Sequence, residues 1–250
     1  MKNNILILVA VRLKSTRLRK KAIKNLFGIP LILRLNQRLN KVKTPSKIIW
    51  CTSTNIEDDP IESLAKKNNI ECFRGSELDV MDRFIKVGNR ENASLIVRVT
   101  GDNPLTDPFM IDYMLEKHIV NNAEYTYNED LPIGTRSEVM SLSMLKKCHS
   151  QLIDPNQSEY MTWMVNRPKY FKTQKISSPI ESVKFPEVCL TVDTREQYKV
   201  MKKIYNHFKG EPPALDKILE WIFKNKINTI SKSHKPLIEK KDIEYRLLID

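Results

Sequence analysis

Ile5-Leu-Ile-Leu-Val-Ala-Val11 runs without a polar side chain straight into Arg12-Leu-Lys-Ser-Thr-Arg-Leu-Arg-Lys-Lys21. A short apolar run that does not alternate with polar residues is the pattern of a strand covered on both faces, the central strand of a parallel sheet. It meets Arg12 with no small-residue cleavage site before Arg17, Arg19 and Lys20, so it does not read as an export signal. No segment is long enough to span a bilayer.

Similar runs recur at Lys47-Ile-Ile-Trp-Cys51, Ile70-Glu-Cys-Phe-Arg74, Leu95-Ile-Val-Arg-Val99 and Val188-Cys-Leu-Thr-Val192. Helical spacing fills 30–42, 57–68, 78–89 and 108–122 between them, and Pro30 and Pro108 stand at favourable starting positions. This alternation predicts an α/β protein, with a mainly parallel sheet and helices on both faces. Ligands of such sheets bind beyond the carboxyl ends of the strands. Arg12, Thr52, Arg74, Asp102 and Asp193 all fall at or just past predicted strand ends. From about 128 to 187 the alternation lapses, with turn signals at Pro132-Ile-Gly134, Asp154-Pro155 and Ser178-Pro179. That stretch reads as a mixed insertion on a single 1–250 domain. It leaves open an acceptor-binding role, a homodimer contact or a plain surface excursion. Helical patterns at 196–208 and 214–225 close the chain.

The 250 residues carry 42 Lys and Arg against 30 Asp and Glu, a net charge of +12 that favours anionic partners. The basic residues are scattered and no basic stretch is interleaved with stacking aromatics, so nucleic acid is not the expected partner. With six glycines there is no Walker-type loop and no Gly-x-Gly-x-x-Gly. Cys51, Cys72, Cys148 and Cys189 lack metal-ligand spacing and read as small buried thiols in a reducing cytosol, which makes the expected location cytoplasmic. His118, His149, His207 and His234 fall in no motif and read as surface or structural histidines.

Two features carry chemistry. Arg12, Lys14, Ser15, Thr16, Arg17, Arg19, Lys20 and Lys21 form a basic loop directly after the first strand, and the phosphates of a nucleoside triphosphate need several such cations and donors. Val99-Thr-Gly-Asp-Asn-Pro104 and Leu190-Thr-Val-Asp-Thr194 each set a carboxylate at the end of a predicted strand. Two such carboxylates can hold one Mg²⁺ and leave positions for phosphate oxygens and water.

Taken in order, Val11-Arg-Leu-Lys-Ser-Thr-Arg-Leu-Arg-Lys-Lys21, Arg98-Val-Thr-Gly-Asp-Asn-Pro104, Leu131-Pro-Ile-Gly-Thr-Arg-Ser-Glu138 and Leu190-Thr-Val-Asp-Thr194 resemble the serial motifs of the cytidylyltransferase family, in its spore coat polysaccharide biosynthesis (SpsF-like) branch. The CMP-sialate and CMP-KDO synthetases are relatives of that branch. The resemblance covers about residues 5 to 200. It implies a GT-A-like, Rossmann-like nucleotidyltransferase fold, CTP as donor, Mg²⁺, loss of pyrophosphate and an anionic acceptor that is an acidic sugar or a phosphonate or phosphate monoester. By motif position, Arg12, Arg17 and Lys21 would hold the triphosphate and Asp102 and Asp193 the metal. Val11, Ser15, Thr52, Arg74 and Thr100 would lie along the nucleotide, and Tyr127, Asn128, Arg136, Glu138 and Glu159 would face the acceptor. The chain departs from the family at its loop, where glycine is usual near Lys14 and Pro-Gly is usual at Arg19 and Lys20. It departs again at Glu159-Tyr160, where Glu-His is common. A GT-A glycosyltransferase would share the fold, but its Asp-x-Asp metal tripeptide does not occur here.

Overall fold

The computed structural model describes residues 4–44 and 46–229; His234 and the two ends of the expected 1–250 domain lie outside them. The first strand, β1 (Ile5–Ala10), lies inside the sheet, with β4 (Lys47–Ser53) on one side and β6 (Leu95–Thr100) on the other, both parallel to it. Its unbroken apolar run follows from that position. Ile5, Ile7 and Val9 enter the core on one face and Leu6 and Leu8 the core on the other. Beyond β4 lies β5 (Glu71–Gly75), again parallel. Beyond β6 come β8 (Glu138–Ser141), β7 (Tyr125–Tyr127) and β9 (Thr173–Lys175), giving the order β5-β4-β1-β6-β8-β7-β9. Only β8 runs against the others: it pairs antiparallel with β6 and with β7, while β7 and β9 are parallel. A small hairpin of β2 (Asn25–Leu26) and β3 (Ile29–Pro30) stands apart.

Helices cover both faces, as the alternation predicts. One core is closed by α1 (Leu31–Leu39), α2 (Asp59–Lys67), α4 (Pro108–Val120), α7 (Arg195–His207) and α8 (Leu215–Lys224). The other is closed by α3 (Val80–Arg90), α5 (Leu142–Gln151) and α6 (Met161–Val165). The four cysteines form no disulfide. Burial raises the thiol pKa of Cys51 to about 12 and that of Cys72 to about 11, so both stay protonated packing groups.

Two expectations need correction. Val188–Val192 is not a strand of the sheet. Its residues are buried, which gives it a strand's composition, but its partner is the Pro132–Thr135 turn. Ile133 N donates to the Val188 carbonyl at 2.8 Å and Leu190 N to that of Ile133 at 2.6 Å, and a single parallel bridge joins Ile133 to Cys189. The irregular stretch from 128 to 187, conversely, supplies β8 and β9 to the sheet, with β8 wedged between β6 and β7. β8 is only four residues long and begins with a buried carboxylate, so no apolar run announces it.

The histidines are structural where described. His207 stacks on Trp221 with ring centroids 4.6 Å apart, and His149 Nε2 lies 2.7 Å from Asp79 Oδ2. His118, 2% exposed in α4, sets Nδ1 2.8 Å from Thr126 Oγ1, and its Nε2 is enclosed without a partner. Burial lowers its pKa from 6.5 to about 4. The unfolded chain therefore takes up the proton first, so the stability present above about pH 6.5 is lost as the pH falls toward 4. In urea unfolding between pH 6.5 and 5, the His118→Asn variant should lack a part of the wild-type decline that approaches about 1.4 kcal/mol per pH unit. Identical slopes for the two proteins would refute this origin.

Candidate active site

The order of the sheet reverses at β1: the chain builds outward to β4 and β5, then returns to lay β6 on the other side. The loops leaving β1 and β6 must diverge there, which opens a crevice at the carboxyl ends of the strands. A cleft of about 690 Å³ occupies this point.

Its basic side is the loop after β1. Leu13 and Leu18 are buried, and Leu13 N donates to Asp58 Oδ1 at 2.6 Å, so the loop is pinned at two places. Arg12, Lys14, Ser15, Thr16 and Arg17 between and around those pins line the cleft. Lys20 N closes back on the Leu13 carbonyl at 3.2 Å, and Lys20 takes a left-handed backbone with φ 53°. This is the position where the family pattern has glycine. The turn keeps its shape without one and places Lys21 in the cleft while the Lys20 side chain stays exposed.

The acidic side comes from two segments distant in sequence. Gly101 lets the turn after β6 press on β1, since a Cβ there would lie 2.7 Å from that of Val11. Gly134, at φ 89°, lets the Pro132–Thr135 turn sit against the backbone of Thr191, where a Cβ would approach the amide nitrogen to 2.2 Å. Val192 N then donates to the Asp102 carbonyl at 3.0 Å. Past it, Gln197 Oε1 accepts from the amides of Asp193 and Thr194 at 2.8 and 2.9 Å, part of the capping box that starts α7. These contacts fix the two carboxylates beside each other.

Lys21 Nζ lies between them, 2.6 Å from Asp102 Oδ2 and 2.5 Å from Asp193 Oδ1. Arg17 adds a contact with Asp193 at 3.3 Å. Burial opposes charge on both Lys21 and Asp102, but their mutual attraction outweighs it. The Lys21 pKa is raised and that of Asp102 is lowered, so these two are ionised at neutral pH.

A third wall rises from the opposite face of the sheet. Arg98 on β6 lines the cleft and is held from behind by Glu138 on β8. Glu138 also accepts from Tyr125 and, at 2.7 Å, from Thr162 Oγ1. Burial opposes its charge, but Arg98 and these hydrogen bonds hold its pKa below the usual carboxylate range. Glu159 pairs with Arg12 at 2.5 Å, and its backbone carbonyl accepts from Arg98 at 3.3 Å. Ser158, next to it, donates to Asp79 at 2.9 Å, which hangs the Pro155–Tyr160 turn from the N-terminus of α3.

The structure thus brings Val11, Arg12, Ser15, Arg17, Lys21, Thr100, Asp102, Glu159 and Asp193 of the expected residues into one cleft. It places others elsewhere. Thr52 is fully buried in β4 and Arg74, in β5, pairs with Asp59 and Glu62. Tyr127 stacks on Tyr125, Asn128 braces the 128–131 turn, and Arg136 donates to the Leu131 carbonyl at 2.7 Å. Glu138 stands behind Arg98 instead of facing the cleft. Arg83, Arg98 and Tyr160 line the cleft without having been singled out as site residues. Arg98 opened a quoted motif, but the alternation of β6 alone does not tell which of its side chains is backed by a buried carboxylate.

A doubly covered parallel sheet, a switch-point crevice and a cation-rich loop facing paired carboxylates define a nucleotidyltransferase. Comparison with known proteins narrows this. The chain belongs to the cytidylyltransferase family, whose sequence pattern matches residues 6–243. It is 33% identical over 217 residues to the spore coat polysaccharide biosynthesis protein SpsF of Bacillus subtilis, covering 84% of this chain and 90% of that one. Among solved structures it is similar to a cytidylyltransferase from Leptospira borgpetersenii, with a TM-score of 0.80 and 27% identity over 94% of this chain and all of that one. It also shares the fold of a CMP:2-keto-3-deoxy-manno-octonic acid synthetase complexed with CTP, with a TM-score of 0.64 and 15% identity over 82% of this chain and all of that one.

A lysine in the left-handed region costs roughly 1 kcal/mol that glycine does not. Glycine's larger unfolded-state entropy offsets part of this, so Lys20→Gly should raise the unfolding free energy by up to about 0.5 kcal/mol in urea titrations. A lowered midpoint would show that Lys20 contributes contacts that outweigh its backbone strain.

Proposed function

We propose that the protein transfers CMP from CTP to an anionic small-molecule acceptor and releases pyrophosphate, with Mg²⁺ as cofactor. The observation that carries this reading is the convergence of Lys21 and Arg17 with Asp102 and Asp193 at the end of β1 and β6. Mg²⁺ takes hard oxygen donors and commonly uses one or two carboxylates, with phosphate oxygens and water completing its shell. The donor set fits: Asp102 and Asp193 already address one point, occupied by the Lys21 ammonium. Among the described residues no group of three or more His, Cys, Asp and Glu side chains could hold a metal, so phosphate oxygens and water would complete the shell around the two aspartates. When bound, Mg²⁺ would neutralise phosphate charge and make the α-phosphorus a better electrophile.

The remaining work falls to side chains. Lys21 and Arg17 would stabilise the charge that gathers on the leaving pyrophosphate, and Arg12 would do so from the other side of the loop. Arg98, fixed by Glu138, would hold the acceptor's anionic group, with Glu159 and Tyr160 as its wall. An acceptor already ionised at neutral pH needs no strong general base, so positioning and charge neutralisation carry the rate. Of the two acceptor classes, the polysaccharide role of the Bacillus relative and the sugar-acid substrate named for the synthetase neighbour favour an acidic sugar. The phosphonate or phosphate monoester is the alternative to be assayed beside it. Among the described residues no helix is long and apolar enough to cross a membrane.

Pyrophosphate release should be measured with CTP and Mg²⁺ against a panel of sugar acids and phosphonates. Asp102→Asn and Lys21→Met should each lower turnover on the order of 10²- to 10³-fold with the accepted substrate. Near-normal turnover of Asp102→Asn would sink the assignment. Glu138→Gln should act through Arg98, raising KM for the acceptor by about tenfold or more while KM for CTP stays within about twofold.

A further inference from the structure

Phe27 stands where the fold gives it little in return. It occupies the turn between β2 and β3 at φ 49°, in the left-handed region that side chains other than Gly, Asn and Asp enter only at a cost. Gly28 follows at φ 83°, and its N–H donates to Asn25 Oδ1 at 2.6 Å. Arg34 Nη2 donates to the Phe27 carbonyl at 2.6 Å, so the turn is held in this form. The first of two left-handed positions in so tight a hairpin suits Asn, Asp or Gly, and here it carries a phenyl ring. Burial does not make up for the strain. The ring rests on Gly210, where a Cβ would lie 2.8 Å from Phe27 Cδ1, yet 47% of the residue is exposed. Strain kept at an exposed aromatic side chain points to a role outside the fold.

The surroundings of that ring are cationic. Tyr198 on α7 donates its hydroxyl to the Asn25 carbonyl at 2.5 Å, which fastens the hairpin to the helix. Lys24 and Lys202 both set their ammonium groups over the Tyr198 ring, 5.8 and 6.0 Å from its centre, and Lys209 precedes Gly210. Among the described residues none of these three lysines forms an ion pair. Arg195, Lys199 and Lys203 extend the charge along α7, against Glu196 and Glu211 as the acids of this stretch. An exposed apolar ring among unpaired cations matches an acidic lipid surface: the lysines meet the headgroups while the ring enters the boundary beneath them. Nucleic acid would call for a groove with successive stacking rings, and the turn offers one ring on a point. We propose that the β2–β3 turn and the adjoining face of α7 form a peripheral docking site for anionic phospholipid, with Phe27 as the inserting side chain. None of Lys24, Phe27, Tyr198, Lys202 and Lys209 lines the cleft, so the proposal stands independently of the CTP reading.

The test is cosedimentation of the full-length protein with vesicles of phosphatidylcholine alone and of phosphatidylcholine mixed with phosphatidylserine, with thermal unfolding of every variant. The wild type should sediment with the mixed vesicles, stay in solution with phosphatidylcholine, and lose binding as salt is raised. The double variant Lys24→Glu, Lys202→Glu should bind about tenfold or more weakly and Phe27→Ser about threefold or more weakly, both melting near the wild type. In Phe27→Trp, brominated acyl chains in the mixed vesicles should quench emission beyond the quenching of the wild type, whose own tryptophans are Trp50, Trp163 and Trp221. A wild type that ignores the mixed vesicles at low salt would overturn the proposal. Charge-dependent binding that Phe27→Ser leaves intact, with no added quenching in Phe27→Trp, would be unspecific adsorption and overturn it equally. Binding of a random single-stranded oligonucleotide that is lost in the same variants, while vesicles are ignored, would assign the face to nucleic acid instead.

Discussion

One ammonium group between two carboxylates sets the requirements that the rest of the site meets. Asp102 and Asp193 are 91 residues apart in the chain, yet a backbone hydrogen bond from Val192 to Asp102 holds them side by side. Two carboxylates so close would repel each other in a partly buried crevice. Lys21 resolves this by lying within 2.6 Å of both. To bring it there, the loop after β1 must turn back sharply at Lys20, and Leu13 and Leu18 must be buried to anchor the turn. To bring Asp193 there, Gly134 must accept the backbone of Thr191 almost in contact. The strain at Lys20 and the glycine at 134 serve one electrostatic arrangement.

The second charged assembly follows a different logic. Arg98 is held by a carboxylate on the neighbouring antiparallel strand, and that carboxylate is satisfied in turn by a tyrosine and a threonine. Removing any one partner would leave a buried charge or a buried polar atom unmatched, which is why such networks tend to be complete or absent. The direction of β8 matters here. The antiparallel register sets Arg98 directly opposite Glu138, so their side chains emerge on the same face.

Much of this was legible in the sequence, and the reasons for the gaps are physical. β1, β4 and β6 announced themselves because burial on two faces demands continuous apolar runs, and the helices between them because burial on one face demands a 3.6-residue period; β5, a partly buried edge strand, carries only a short apolar pair. The basic loop and Asp102 could be read because strand ends are where α/β sheets bind ligands; Asp193 was read the same way, although the buried segment before it pairs with a turn and not with the sheet. β8 was hidden because one of its four residues is a charged group neutralised inside the protein, and no local pattern encodes a partner forty residues away. Val188–Val192 misled because burial, not pairing, is what composition reports. Arg74 and Arg83 show the same limit: both are arginines near the end of a strand or the start of a helix. Only the fold shows that one is tied to Asp59 and Glu62 while the other is sealed in the cleft.

The contact between Ser158 and Asp79 ties together parts of the cleft that would otherwise be independent. Helix α3 presents Val80 and Arg83 to one end of the crevice, and through Asp79 it also suspends the turn that carries Glu159 and Tyr160. His149 locks the same carboxylate from α5. The walls at the two ends therefore hang from a single bracket. The two walls move together, and a displacement of α3 would shift both against the Lys21, Asp102 and Asp193 group instead of changing the distance between them.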